Sequence, residues 1–211
     1  MLMDEWKGKW LWDKGKGPKE ILLIRHGETD FNVLGAVQGW LDTFLNAKGL
    51  KQVEYAAAVL RNYPIDIMFT SPLKRAWQTA WVIHQYHRNV PLIKTGLLKE
   101  RSFGKLAGHH IRLENKLAPT TMVRRSYKEI RGWVKDLGLE SQEGFESRIK
   151  KFWLEFISPY LIDNKVIAVI THGGVIRVSL RLFEVRVPDV WKPVNAGIIK
   201  ITPERQTSFR G

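Results

Sequence analysis

Two histidines stand in matching settings, each directly after a short apolar run and each followed by glycine. One copy reads Ile24-Arg25-His26-Gly27-Glu28, the other Ile170-Thr171-His172-Gly173-Gly174. The preceding runs, Glu20–Ile24 and Val166–Ile170, lack polar alternation, which is the pattern of strands buried on both faces. Such strands need cover on both sides of a sheet, and few architectures supply it. In an open parallel sheet, ligands bind beyond the carboxyl ends of the strands. If these two strands are neighbours, both imidazoles enter one crevice. A lone histidine after a strand is more often structural; two in matched settings, one beside Arg25, mark a site.

The rest of the chain alternates between strand and helix periodicity. Ala47–Tyr63 reads as an amphipathic helix with Leu50, Val53, Ala56, Ala57 and Leu60 on one side. Ile65–Thr70 reads as a strand, and Pro72–His87 as a helix with proline in its first turn. Further strands are expected at Leu92–Thr95, Val166–Ile170 and Ile198–Thr202, and helices at Glu143–Ile162 and Val175–Phe183. The expected fold is α/β: a three-layer α/β/α sandwich on a mostly parallel central sheet. A small helical or loop insertion, about residues 105–139, would lie over the active site; it holds eight Lys/Arg against three Asp/Glu. Residues 1–19 form a Trp- and Lys-rich extension with Trp6, Trp10 and Trp12, residues 20–202 the domain, and 203–211 a tail. Packing against the domain is expected of the extension, with docking to a membrane surface or a partner as its alternative.

Composition narrows the chemistry. The 211 residues contain no cysteine, which excludes disulfides, thiolate metal sites and cysteine nucleophiles. No apolar stretch near the start resembles a secretory signal, and no run approaches a membrane span. A cytoplasmic location is expected. The net charge of +13 favours anionic ligands and otherwise describes a basic solvated surface.

The candidate site residues share one chemistry. Arg25 adjoins His26, and Arg75 lies in Ser71-Pro72-Leu73-Lys74-Arg75-Ala76, just after another strand. Guanidinium groups match phosphate bidentately, so two histidines and two arginines make a cationic pocket for a tetrahedral dianion. Neutral imidazole can attack phosphorus directly, giving a covalent intermediate. The leaving alkoxide then needs a proton, for which Glu100, after the third strand, is the natural candidate. Nothing completes a metal shell around the histidines, so neither a metal nor another cofactor is expected.

These blocks together resemble the histidine phosphatase superfamily, the phosphoglycerate mutase-like family. Leu23-Ile24-Arg25-His26-Gly27-Glu28-Thr29 matches its signature, and Asn32 with Gln38-Gly39-Trp40-Leu41-Asp42 matches the segment after it. Ser71–Ala80, Glu100 with Phe103-Gly104, and Thr171-His172-Gly173-Gly174-Val175-Ile176-Arg177 complete the set in family order, over about residues 20–202. The resemblance implies that His26 is the nucleophile, that Arg25, Arg75 and His172 clamp the phosphoryl group, and that Glu100 is the proton donor. It also implies that Asn32, Gln38, Gly39 and Gly173 line the substrate pocket, and that no metal is needed. Where relatives often show Gly-Glu-Ser, this chain has Leu139-Glu140-Ser141, and Glu140 is expected to support the site from behind.

Three readings compete: a phosphomonoesterase, a phosphoglycerate mutase, and a non-catalytic phosphate-binding module. Gln78-Thr79-Ala80, His172-Gly173-Gly174-Val175 and the short insertion resemble the phosphatase branch, whereas Gly39-Trp40 and Glu100-Arg101 resemble mutases. Phosphatase is the favoured reading. Arg124, Arg125, Lys128 and Arg131 would favour polyanionic esters. No specific nucleic acid partner is expected, and a homodimer is left open. His84, His87, His109 and His110 are expected to be non-catalytic, and Trp77 and Trp81 to belong to the core.

Overall fold

The computed structural model describes residues 3–8, 17–109, 137–157, 165–186 and 191–203. Its strands are β1 (Met3–Gly8), β2 (Glu20–Arg25), β3 (Ile67–Thr70), β4 (Leu92–Lys94), β5 (Val166–Thr171) and β6 (Ile198–Pro203). They form one sheet in the order β1-β6-β2-β5-β3-β4, parallel at every pairing except β2 with β6.

Successive residues of the central strands face opposite layers, which is why those strands are apolar throughout. Ile21, Leu23, Ile167, Val169, Ile67 and Phe69 pack in one core with the helix Gln142–Lys151 (α4) and the helix Gly173–Leu182 (α5). Leu22, Ile24, Ala168, Ile170 and Met68 pack in the other with Ala47–Leu60 (α2) and Lys74–His84 (α3). The expected three-layer sandwich on a mostly parallel sheet is the observed fold. No helix among the described residues is long and apolar enough to cross a membrane.

Several details depart from expectation. Strand β1 has no apolar run or alternation to reveal it; it pairs through its main chain with the outer edge of β6. A five-residue helix α1 (Asp30–Leu34) is closed by a capping box between Thr29 and Asn32, a device too short for periodicity to detect. Helix α3 starts at Lys74 with Leu73 as its N-cap, so Pro72 precedes the helix instead of filling its first turn. Leu50 of α2 is 39% exposed and leaves the buried face to Val53, Ala56, Ala57 and Leu60.

Trp77 and Trp81 are not core residues. Trp81 is 52% exposed and packs on Trp77 with ring centroids 6.0 Å apart, while the Lys94 ammonium sits 3.8 Å from the Trp77 ring centroid. Beyond α4 the chain continues as a π-helical turn, Phe152–Phe156. The rest of the expected helix, residues 158–162, lies outside the described residues. So do residues 110–136 of the insertion with their basic cluster and His110, Trp10 and Trp12 of the extension, and the tail from 204.

Candidate active site

Sheet register assembles the site. Strands β2 and β5 pair Ile24 with Ile170 and Arg25 with Thr171, so His26 and His172 leave adjacent strands at the same level. The His26 N–H donates to the Thr171 carbonyl at 2.9 Å. Strand β3 pairs Thr70 with Ile170, and the Ser71 N–H donates to the Ile170 carbonyl at 3.1 Å. The two imidazole centroids are 5.2 Å apart, tilted by 58°. His26 is 3% exposed and His172 fully buried.

Hydrogen bonding sets the tautomer of His26. Its Nδ1 lies 2.7 Å from the Gly27 carbonyl oxygen, which can only accept, so Nδ1 carries the hydrogen. The lone pair of the neutral ring is then on Nε2. His172 Nε2 lies 2.8 Å from Ser71 Oγ, while its Nδ1 is buried without a partner. With the Ser71 hydroxyl donating to Nε2, Nδ1 becomes a donor for an anion.

The arginines are anchored but not saturated. Arg25 donates from one terminal nitrogen to the Pro193 carbonyl at 2.6 Å. Arg75 donates to the carbonyls of Leu41 at 2.7 Å and Gly39 at 2.8 Å. Both Nε atoms are buried without partners. Burial lowers both guanidinium pKa values, opposed by the nearby Glu100 carboxylate, and Arg75 is pushed down to about 10. Three unpartnered buried nitrogens in one crevice are costly in the absence of an acceptor. A tetrahedral anion supplies one.

Glu100 occupies the N-terminus of α5. Its Oε2 accepts from the Gly174 N–H at 3.0 Å and its Oε1 from the Arg101 N–H at 2.9 Å. His172, the N-cap, makes no side-chain capping bond. The carboxylate therefore satisfies an orphan helix donor and faces the positive end of the dipole. Gly174 is required for this approach, since a Cβ there would come within 2.1 Å of Glu100 Oε1.

A second tier holds Glu100 in place. The Glu140 carboxylate pairs with Arg148 at 2.8 Å and accepts from the Ser102 N–H at 3.1 Å. Arg148 also donates to the carbonyls of Leu97, Lys99 and Glu100. Trp40 Nε1 donates to the Glu100 carbonyl at 2.6 Å.

The remaining expected site residues are drawn into the same region with varied partners. Asn32 Oδ1 accepts from the Thr29 backbone and hydroxyl and from Asn195 Nδ2, each at 3.1 Å. Gln38 Oε1 accepts from the Thr43 hydroxyl at 2.6 Å and lies 3.1 Å from Thr29 Oγ1, whose single hydrogen serves either Gln38 or Asn32, well inside the protein. Gly39 adopts φ +51°, and its carbonyl receives Arg75. A Cβ at Gly173 would lie 3.7 Å from Arg25 Nε. Sequence reasoning missed Asn195, which also donates to the His26 carbonyl at 3.3 Å, and Thr79, whose hydroxyl accepts from the Gly27 N–H at 3.1 Å. Thr79 sits one helical turn after Arg75 and was within reach of a pattern argument; Asn195 lies in a segment with no periodicity.

Both imidazoles have pKa values well below the ordinary 6.5, first through burial and then through Arg75. Each is neutral in the folded chain and regains its ordinary value on unfolding. Their contribution to stability is complete above pH 6.5 and declines as pH falls below it, because the unfolded chain then binds more protons. Denaturant midpoints measured from pH 7.5 to 5 are expected to fall less in the His26→Gln, His172→Gln double variant than in the wild type. Parallel decline in both proteins would place the effect elsewhere. Among the described residues, no group of three or more His, Asp or Glu is arranged to hold a metal ion.

Residues 21–208 match the profile of the histidine phosphatase superfamily, branch 1. The chain is 33% identical over 168 residues to a 2,3-bisphosphoglycerate-dependent phosphoglycerate mutase of Cytophaga hutchinsonii, covering 78% of this chain and 76% of that one. It is 34% identical over 159 residues to a probable phosphatase of Schizosaccharomyces pombe, covering 75% and 70%. Among solved structures, a mycobacterial glucosyl-3-phosphoglycerate phosphatase in complex with VO3 superposes with a TM-score of 0.70 at 26% identity. That match covers 86% of this chain and 90% of the other.

Proposed function

The chain belongs to the histidine phosphatase superfamily, and from that premise we propose that it is a metal-independent phosphomonoesterase working through a phosphohistidine on His26. The observation that carries this reading is the convergence of two neutral, buried imidazoles with the unpartnered nitrogens of Arg25, Arg75 and His172.

The phosphoryl group of the ester sits among those donors, joined by the amide of Asn32, with Gln38, Gly39 and Gly173 shaping the wall. His26 Nε2 attacks phosphorus in line, forming a P–N bond as the P–O bond of the ester breaks. Glu100, protonated, gives its proton to the leaving alkoxide. The carboxylate then removes a proton from water, which attacks the phosphohistidine. The P–N bond breaks, inorganic phosphate leaves, and His26 and Glu100 return to their starting forms. Arg25, Arg75 and His172 stabilise charge on the transferring oxygens, which is most of what phosphoryl transfer asks of a protein. The cysteine-free composition suits a cytoplasmic setting.

The mutase reading rests on the similarity to the Cytophaga hutchinsonii enzyme and differs in one step, the acceptor of the phosphoryl group. In a mutase the phosphohistidine returns its group to a bound substrate hydroxyl. A panel of phosphate esters run beside 3-phosphoglycerate, with free phosphate and 2-phosphoglycerate both measured, separates the two. Release of phosphate from several esters without isomer formation is expected. Isomer formed in excess of phosphate would make the chain a mutase. Activity is expected to persist in EDTA; loss that a divalent metal restores would end the metal-independent mechanism.

A further inference from the structure

Behind Glu100, on the side of α5, lies a cavity of about 840 Å³ with an unusual balance of charge. Four arginines and one carboxylate line it, and that carboxylate, Glu100, is already engaged by the Gly174 and Arg101 N–H groups. Arg177 lies three residues after Gly174, and Arg181 four residues further, so one face of α5 carries cations outward from the carboxylate. Arg186 follows just beyond the helix. Arg181 pairs with Glu146 at 2.7 Å. Arg177 and Arg186 are exposed and have no acidic partner among the described residues. Phe103 and Trp191, both part-exposed, add aromatic surface to the lining.

The location decides the use. Glu100 lines this cavity and also acts electrostatically on Arg25 and Arg75, and Arg177 acts on Arg25, so the cavity adjoins the phosphoryl crevice on the side of the proton donor. A volume of 840 Å³ is in the upper part of the usual range of about 300–1,000 Å³ for small-molecule sites, and exceeds what a three-carbon acid needs. Apolar aromatic surface beneath a guanidinium rim suits a planar or apolar body that ends in an anion.

We propose that this cavity receives the alcohol half of the substrate, and that Arg177 and Arg186 bind a second anionic group, a carboxylate or phosphate, carried on an apolar, planar body. This rests on the phosphoryl-transfer reading of the adjoining crevice. It assigns the selection of polyanionic esters to α5 and its C-terminal flank.

Three aryl esters test it: phenyl phosphate, 2-naphthyl phosphate and 6-carboxy-2-naphthyl phosphate. In the wild type, kcat/KM is expected to rise along that series, chiefly through KM. In the Arg177→Gln, Arg186→Gln variant, the ratio of kcat/KM for the carboxylated over the plain naphthyl ester is expected to fall about tenfold. The Arg181→Gln variant, which loses an arginine already paired, is expected to change that ratio less than twofold. A wild type that does not prefer the carboxylated ester, or a ratio unmoved in the double variant, would overturn the proposal. If none of the three esters releases phosphate, the hydrolase reading fails, and calorimetric Kd values for the intact naphthyl esters then decide the cavity alone. Tighter binding of the carboxylated ester that depends on Arg177 and Arg186 would still support the proposal, and equal affinities would refute it.

Discussion

Replacement of His26 by alanine is expected to lower turnover of every phosphate ester by about 10⁴-fold or more and to abolish covalent labelling by substrate carrying radioactive phosphorus. The size of the effect follows from the division of labour. Arg25, Arg75 and His172 would still bind and polarise a phosphoryl group, but no second nucleophile lies among them with a free lone pair. His172 is the nearest imidazole, 5.2 Å away by ring centroid, and its Nε2 is engaged by Ser71. Acid-labile label retained in the His26→Ala protein, and lost on further replacement of His172, would transfer the nucleophile to His172. A thermal melt of the variant separates lost chemistry from lost fold, since His26 also donates its backbone N–H to Thr171 regardless of side chain.

The second large effect is expected from a single methyl group. In Gly174→Ala the new Cβ would fall within 2.1 Å of Glu100 Oε1, so the carboxylate has to move. General acid catalysis is worth about 10²–10⁴-fold, and alkyl phosphates, whose leaving groups need a proton, are expected to lose that factor in kcat/KM, which reports phosphoryl transfer to His26 and not the later hydrolysis common to all esters. Nitrophenyl phosphate, with a leaving group stable as an anion, is expected to lose far less. Glu100→Gln should give the same selective loss, and combining the two changes should cost little more than either alone. Equal losses in kcat/KM on alkyl and aryl esters would remove Glu100 from the role of acid.

The two strands that matter most were legible because burial on both faces erases polar alternation, leaving Ile21–Ile24 and Val166–Ile170 as plain apolar runs. Their adjacency was not legible. Spacing says nothing about which strands pair, and only the sheet order places His26 beside His172. Arg75 and Glu100 were legible as candidates by residue type, each a few residues beyond a strand. Residues acting through main-chain geometry were not. Pro193 contributes a carbonyl to Arg25, and Asn195 reaches the His26 carbonyl, with no pattern in the sequence to announce either. Strand β1 was hidden for a similar reason, since edge pairing draws on peptide groups that every residue possesses. The aromatic pair Trp77 and Trp81 misled in the opposite direction: helical spacing suggested burial, but the face they share is turned towards solvent and Lys94.

Arg75 binds the turn at residues 39–41 with its two terminal nitrogens and leaves Nε for whatever occupies the crevice. A lysine at that position would preserve the positive charge and let the turn go, because one ammonium cannot grip two carbonyls in fixed directions while facing a third acceptor. The turn at residues 39–41 and the anion seat thus hang on one guanidinium, so a shift of the first carries the second with it.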